Sequence, residues 1–273
     1  MSPLLKRRLG FTIGLILLSF GALLGWLVLR TALRPDAIYT GLLLLGIVLG
    51  LTLFNARKKL PFLPLIRAAT WLQIHIYAGW LCLFIFLLHI HFRVPSGPLE
   101  ITLACVFCLV VFSGFFGLYI SWEMPPRMAR SGEPLLYDRI PAFRLQIKQK
   151  VEELIRQAEA ESESSTLGDF YVNRLRDFFN RIPNALSALG AADRGLHSLL
   201  AELDALNRYL EEREKAITLE LRDWIETKQN LDFQYASQRL LRLWLFVHIP
   251  STYSLILLGI AHGIAASLYV RRW

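Results

Sequence analysis

Acidic side chains are nearly missing from most of this chain. Of 22 aspartates and glutamates in 273 residues, 20 lie between Glu123 and Asp232, and only Asp36 and Glu100 stand elsewhere. With 54% hydrophobic residues and a mean hydropathy of +0.41, that shortage points to a bilayer as the solvent for the rest of the chain. Cysteine is scarce as well. Cys82, Cys105 and Cys108 all fall inside apolar runs, so no disulfide framework is implied and apolar packing is expected. Cys105 and Cys108 form a C-x-x-C, but Leu109 follows where covalent c-type haem attachment needs histidine. The polar middle of the chain lacks G-x-G-x-x-G and G-x-x-x-x-G-K and holds only Gly132, Gly168, Gly190 and Gly195, which excludes a flavin or nucleotide site there.

The cations are distributed differently. Residues 122–240 hold 17 of the 30 lysines and arginines and come out near −3, while the remainder is near +11. The pI of about 9.6 therefore reflects cations flanking apolar runs, where they orient helices, and gives no support for nucleic-acid binding. Five runs are long enough to cross a hydrocarbon core of about 30 Å. They cover roughly 11–30, 38–54, 70–91, 99–121 and 243–268, the second being the shortest. Residues 1–30 share the outline of a signal peptide, since Lys6, Arg7 and Arg8 precede an apolar run. That run is long, however, and no small-x-small site follows it, so it is read as a helix.

These runs predict an all-α, polytopic membrane bundle of about five helices with a helical soluble insertion between the fourth and fifth. The expected parts are 1–121 with helices one to four, 122–240 as the insertion, and 241–273 with helix five and a short tail. An inside amino terminus collects Lys6, Arg7, Arg8, Arg57, Lys58, Lys59, Arg67, Arg127 and Arg130 on the cytoplasmic side, against Arg30, Arg34, Arg93, Arg271 and Arg272 opposite. The expected location is thus a plasma (bacterial inner) membrane, with amino terminus and insertion cytoplasmic. The insertion opens on the turn-rich Met124-Pro125-Pro126 and Arg130-Ser131-Gly132-Glu133-Pro134. Helices are predicted over 141–163, with Phe143, Ile147, Val151, Leu154 and Ile155 on the apolar face, and over 167–182, ended by Pro183. Across 185–240, Leu196, Leu199, Leu200, Leu203, Leu206 and Leu210 keep three-four spacing, which suits a small antiparallel helical hairpin or bundle. The last of these helices is a candidate to run straight into the fifth span.

The chemistry lies in four histidines. His75 and His89 share the third run, His248 and His262 the fifth, and both intervals are fourteen. Fourteen helical residues turn through about 1400°, some 40° short of four full turns, and rise roughly 21 Å. Each pair therefore occupies one helix face near opposite leaflets. One histidine in a span is commonly a helix-to-helix hydrogen bonder. Two pairs at one interval on two helices are hard to obtain that way, and ionisable groups at membrane depth mark function. Runs three and five are separated by one crossing and run parallel, so His75 faces His248 and His89 faces His262. Two bis-imidazole sites that far apart suit two haems and rule out a shared dinuclear centre.

His91 is the rival to His89, but sixteen residues from His75 amount to a rotation of about 1600°, some 160° off that face. A propionate contact, a quinone contact and a plain interfacial location are all open to it. His197, in the insertion, reads as a surface residue. Haem propionates need cations near the surface, and Arg67, Arg239 and Arg242 are candidates on the inner side, Arg93 and Arg271 on the outer. Gly79, Gly114, Gly117, Gly259 and Gly263 would let a macrocycle, or simply another helix, approach the backbone.

In His75, His89, His248 and His262 the chain resembles the di-haem membrane cytochromes b, including the four-helix haem bundle of the cytochrome b/b6 family. The resemblance covers roughly 37–121 and 243–268. The membrane domains of ferric reductases and NADPH oxidases look similar in histidine arrangement, although this chain lacks their sixth span and their flavin and nucleotide modules. The resemblance implies two non-covalent haems b and electron transfer. Iron with two axial histidines has no open position for bond chemistry, so the chain is expected to be an electron-transfer subunit of an oxidoreductase rather than a complete enzyme. Quinone or quinol is the expected small-molecule partner on one side. A redox protein (cytochrome c, an iron-sulfur subunit or a flavin subunit) is expected on the other, in a complex or homo-oligomer. The competing expectation is a membrane scaffold or signalling protein whose insertion binds partners and whose histidines are structural.

Overall fold

A computed structural model describes residues 3–32, 35–56, 67–130, 133, 135–161, 166–190, 192–210 and 212–270. Among them every regular element is a helix and there is no strand. Five helices are long and apolar enough to cross a membrane: α1 (Pro3–Thr31), α2 (Asp36–Ala56), α3 (Ala68–His89), α4 (Pro98–Arg130) and α9 (Glu212–Val270). Between α4 and α9 come α5 (Ile140–Glu161), α6 (Thr166–Phe170), a wide π turn over Tyr171–Leu175, α7 (Arg176–Asn180) and α8 (Ala192–Leu206).

The chain divides into two compact units, the first made of Met1–Leu118 with Phe246–Trp273 and the second of Tyr119–Leu245. In the first unit, side chains such as Ile16, Leu17, Leu42, Phe112 and Leu257 are exposed, as helices whose outer faces meet lipid require. Its own core is apolar: Val48 of α2, Cys82 and Phe86 of α3, Phe107 of α4 and Leu255 of α9. Phe86 stacks on Phe107 with ring centroids 4.0 Å apart. Cys105 and Cys108 are exposed on α4 rather than packed. On the other side of α3, Tyr77 stacks against Phe11 of α1 and its hydroxyl lies 3.2 Å from that of Thr12.

The insertion is a helical bundle with its own core. Ile147, Val151 and Ile155 of α5, Leu175 of the π turn, Leu199 and Leu203 of α8, and Leu221 and Ile225 of α9 are buried together. These are the apolar stripes the three-four spacing marks. Phe143, expected on the same stripe, is exposed. The turn expected at Met124-Pro125-Pro126 is not there, because α4 continues through both prolines to Arg130. Each proline deletes one helical amide. Tertiary packing overrides that loss: Ile120 and Met124 are buried against Ala185, Ala188, Ala236 and Leu240, and Arg127 donates to the Ala188 carbonyl at 3.1 Å. At the far end α9 runs unbroken from the insertion's core through the fifth apolar run, carrying Pro250 within it.

Tyr171 closes the wide turn onto α5. Its hydroxyl donates to Glu152 Oε1 at 2.9 Å, and burial with that carboxylate neighbour pushes its pKa up to about 12. Tyr171→Phe is expected to lower the stability of the insertion by about 0.5–1.5 kcal/mol, one net hydrogen bond. Urea denaturation of the full-length protein, followed by tryptophan fluorescence, measures it.

Candidate functional site: four histidines on two helices

All four histidines fall in the first unit, half-buried, on α3 and α9. Helix α3 carries His75 near its start and His89 as its last residue, and α9 carries His248 and His262 in its apolar half. The structure brings His89 and His262 together, with ring centroids 6.3 Å apart and planes at 88°. His75 and His248 are close enough for the charge of one to act on the other. Cys82 and Leu255, each midway between the histidines of its helix, belong to the apolar core shared by α2, α3, α4 and α9. An apolar layer thus lies between the two histidine levels among the described residues.

The surrounding helices hold one histidine at each level, in the same manner. Thr40 Oγ1 of α2 lies 3.1 Å from His89 Nδ1, and Ser113 Oγ of α4 lies 2.7 Å from His248 Nδ1. A glycine follows each hydroxyl residue. A Cβ on Gly41 would meet His89 Cε1 at 3.0 Å, and one on Gly114 would meet His248 Cε1 at 3.9 Å. Gly41 is therefore a place where the imidazole lies on bare backbone, and a methyl there would push the ring away. Of the glycines marked from sequence, Gly114 alone of the four with described surroundings touches a histidine. Gly79 and Gly263 face open space, and Gly259 faces Leu45. Helix α2 keeps the histidine interval too, with the Ala37 carbonyl beside His89 and the Leu51 carbonyl beside His75.

His91 is placed by a route that helical rotation does not describe, because α3 ends at His89. His91 and Phe92 both adopt left-handed backbone, φ 53° and 56°, a conformation costly for non-glycine residues. The turn is closed by Phe92 N donating to the Leu87 carbonyl at 3.0 Å. It delivers His91 Nε2 to Asp36 Oδ2 at 2.8 Å, with the Trp26 ring 6.0 Å from the imidazole. One of the two acids outside the insertion is thus the partner of His91.

Arg242 stacks over Tyr137 and pairs with Asp138 at 3.7 Å within the second unit, to which Arg239 also belongs. Arg67 and Arg93 are exposed. Arg271 lies outside the described residues, as do Arg34, Arg57, Lys58, Lys59 and Arg272.

The donor set decides what such a site can hold. Among the described residues no three or more histidine, cysteine or acidic side chains gather to bind a metal. A bare tetrahedral ion would find only two protein ligands at either level, whereas iron in a porphyrin already has four nitrogens and needs just two. Two imidazoles on opposite sides of one metal, with bonds of about 2.0–2.1 Å, place their ring centroids roughly 6 Å apart. The 6.3 Å between His89 and His262 fits that span. Helix α3 packs closely against α1 and α2, and its Cys82 and Phe86 share an apolar cluster with Leu255 of α9. The chain matches no protein-family model, no curated protein and no solved structure.

Proposed function

We propose that this chain is a multi-pass membrane cytochrome of the b type, with one haem between His75 and His248 and a second between His89 and His262. The observation that carries the reading is the approach of His89 to His262 at a span suited to one metal, with His75 and His248 within electrostatic range of each other on the far side of an apolar layer. When bound, haem with two axial imidazoles supplies one-electron transfer and nothing else. His75, His248, His89 and His262 would hold the two haems. Val48, Cys82, Phe86, Phe107 and Leu255 keep water and mobile charge out of the region between the two levels.

The five apolar helices support membrane placement, and the distribution of cations supports a cytoplasmic amino terminus and insertion. Electrons would pass between the two faces, exchanged with quinone or quinol at one and with a redox protein at the other. The insertion serves as the docking or assembly element of a larger oxidoreductase. The direct test is colour. Purified full-length protein is expected to carry two extractable haems b per chain and to show a reduced-minus-oxidised spectrum of low-spin bis-histidine haem. A folded, colourless preparation that takes up no added haem would overturn the proposal and leave the membrane scaffold as the better reading.

A further inference from the structure

The two hydroxyls beside the histidines do more than fill space. A hydroxyl has one proton to donate. Thr40 Oγ1 lies 2.8 Å from the Asp36 carbonyl one turn back, and Ser113 Oγ lies 2.8 Å from the Val110 carbonyl. Serine and threonine within helices ordinarily donate to such a carbonyl. With that proton committed, the face turned to the histidine holds only lone pairs. The contacts at 3.1 Å and 2.7 Å must then be made by an N–H of the imidazole.

We infer that Thr40 and Ser113 are positioning residues that fix His89 and His248 as the Nδ1–H tautomer and leave Nε2 of each as the one nitrogen able to bind a metal. The inference rests on the haem reading for its purpose but not for its geometry. Each level receives one histidine with a hydroxyl at Nδ1, from α3 at one and from α9 at the other, so each haem would have at least one ligand oriented in this way. The following glycine completes the seat at His89, since any Cβ at Gly41 would displace the ring the hydroxyl orients. When haem is bound, hydrogen bonding at Nδ1 would make the imidazole a stronger donor and favour the oxidised state.

Thr40→Val keeps the shape and removes the acceptor, Thr40→Ser restores it, and Ser113→Ala and Ser113→Thr form the matching pair. In full-length protein in lipid nanodiscs, Thr40→Val is expected to weaken haem retention at the His89/His262 level by about 10- to 100-fold. The haem that remains there should have a raised midpoint potential and a shifted low-spin EPR signal, with the other haem unaltered and Thr40→Ser close to wild type. Ser113→Ala should do the same at the His75/His248 level. Unchanged retention, potential and EPR signal in Thr40→Val and Ser113→Ala would overturn the inference, as would Thr40→Ser behaving like Thr40→Val. If the wild-type protein carries no haem, the haem reading fails and the tautomer is read directly from 15N spectra of labelled histidine. Two Nδ1–H imidazoles that become tautomer mixtures in the variants uphold the inference, and spectra indifferent to both variants sink it.

Discussion

Replacing His89 by alanine is expected to leave a protein with one haem where wild type has two, while replacing His91 leaves both. His89 is the residue whose ring lies 6.3 Å from His262, held by Thr40 and resting on Gly41, whereas His91 is turned away to Asp36. Without His89 the proposed site would keep only His262 to hold haem, and retention there should collapse rather than decline. Double variants make the result sharper, since residues that act as one unit are not additive. His89→Ala with His262→Ala is expected to keep one haem, because both changes strike the same site. His89→Ala with His248→Ala is expected to keep none. Haem extracted per chain and the low-spin EPR signals measure all four proteins. If the first pair lost both haems and the second kept one, the assignment of His75 to His248 would be wrong.

Much of this arrangement is legible in the sequence because it follows from length and period. Five apolar runs become five long helices, and the interval of fourteen predicts the His89–His262 approach, with ring centroids 6.3 Å apart, without any knowledge of contacts. The seats that hold them are not legible in the same way. A threonine or serine inside an apolar run bonds to its own helix, so nothing in composition separates Thr40 or Ser113 from Thr12 or Thr252. Only in hindsight is there a signal, the hydroxyl-glycine dipeptides Thr40-Gly41 and Ser113-Gly114. The exit of α3 was equally hidden: rotation places His91 off the histidine face only if the helix continues, and two left-handed residues end it first. At Pro125 and Pro126 local rules predict a turn, and burial of Ile120 and Met124 wins instead. These departures share a cause, namely tertiary contacts that no local pattern encodes.

The insertion carries a second feature of this kind, and the largest stability effect is expected there. Lys228 and Asp232 stand one turn apart on α9, a spacing that ordinarily marks a solvated helix face. In the folded protein the Lys228 side chain is 2% exposed and Asp232 14% exposed. The Lys228 ammonium donates to Asp232 Oδ2 and to the Phe178 carbonyl at 2.6 Å, and lies 4.1 Å from the centre of the Phe178 ring. Arg144 of α5 approaches the other carboxylate oxygen at 2.7 Å, and its far end donates to the Arg181 carbonyl. One carboxylate therefore pairs with two cations drawn from α5 and α9. Asp232→Ala leaves both cations side by side and poorly hydrated, a change expected to cost about 3–5 kcal/mol, because breaking a buried pair strands the remaining charge. Lys228→Met removes one cation, fills the same apolar space and leaves the Arg144–Asp232 pair intact, so it should cost far less. Urea denaturation of the two full-length variants, monitored by tryptophan fluorescence and circular dichroism, distinguishes them. If Asp232→Ala proved no more harmful than Lys228→Met, the carboxylate would not be the charge that holds α5 against α9.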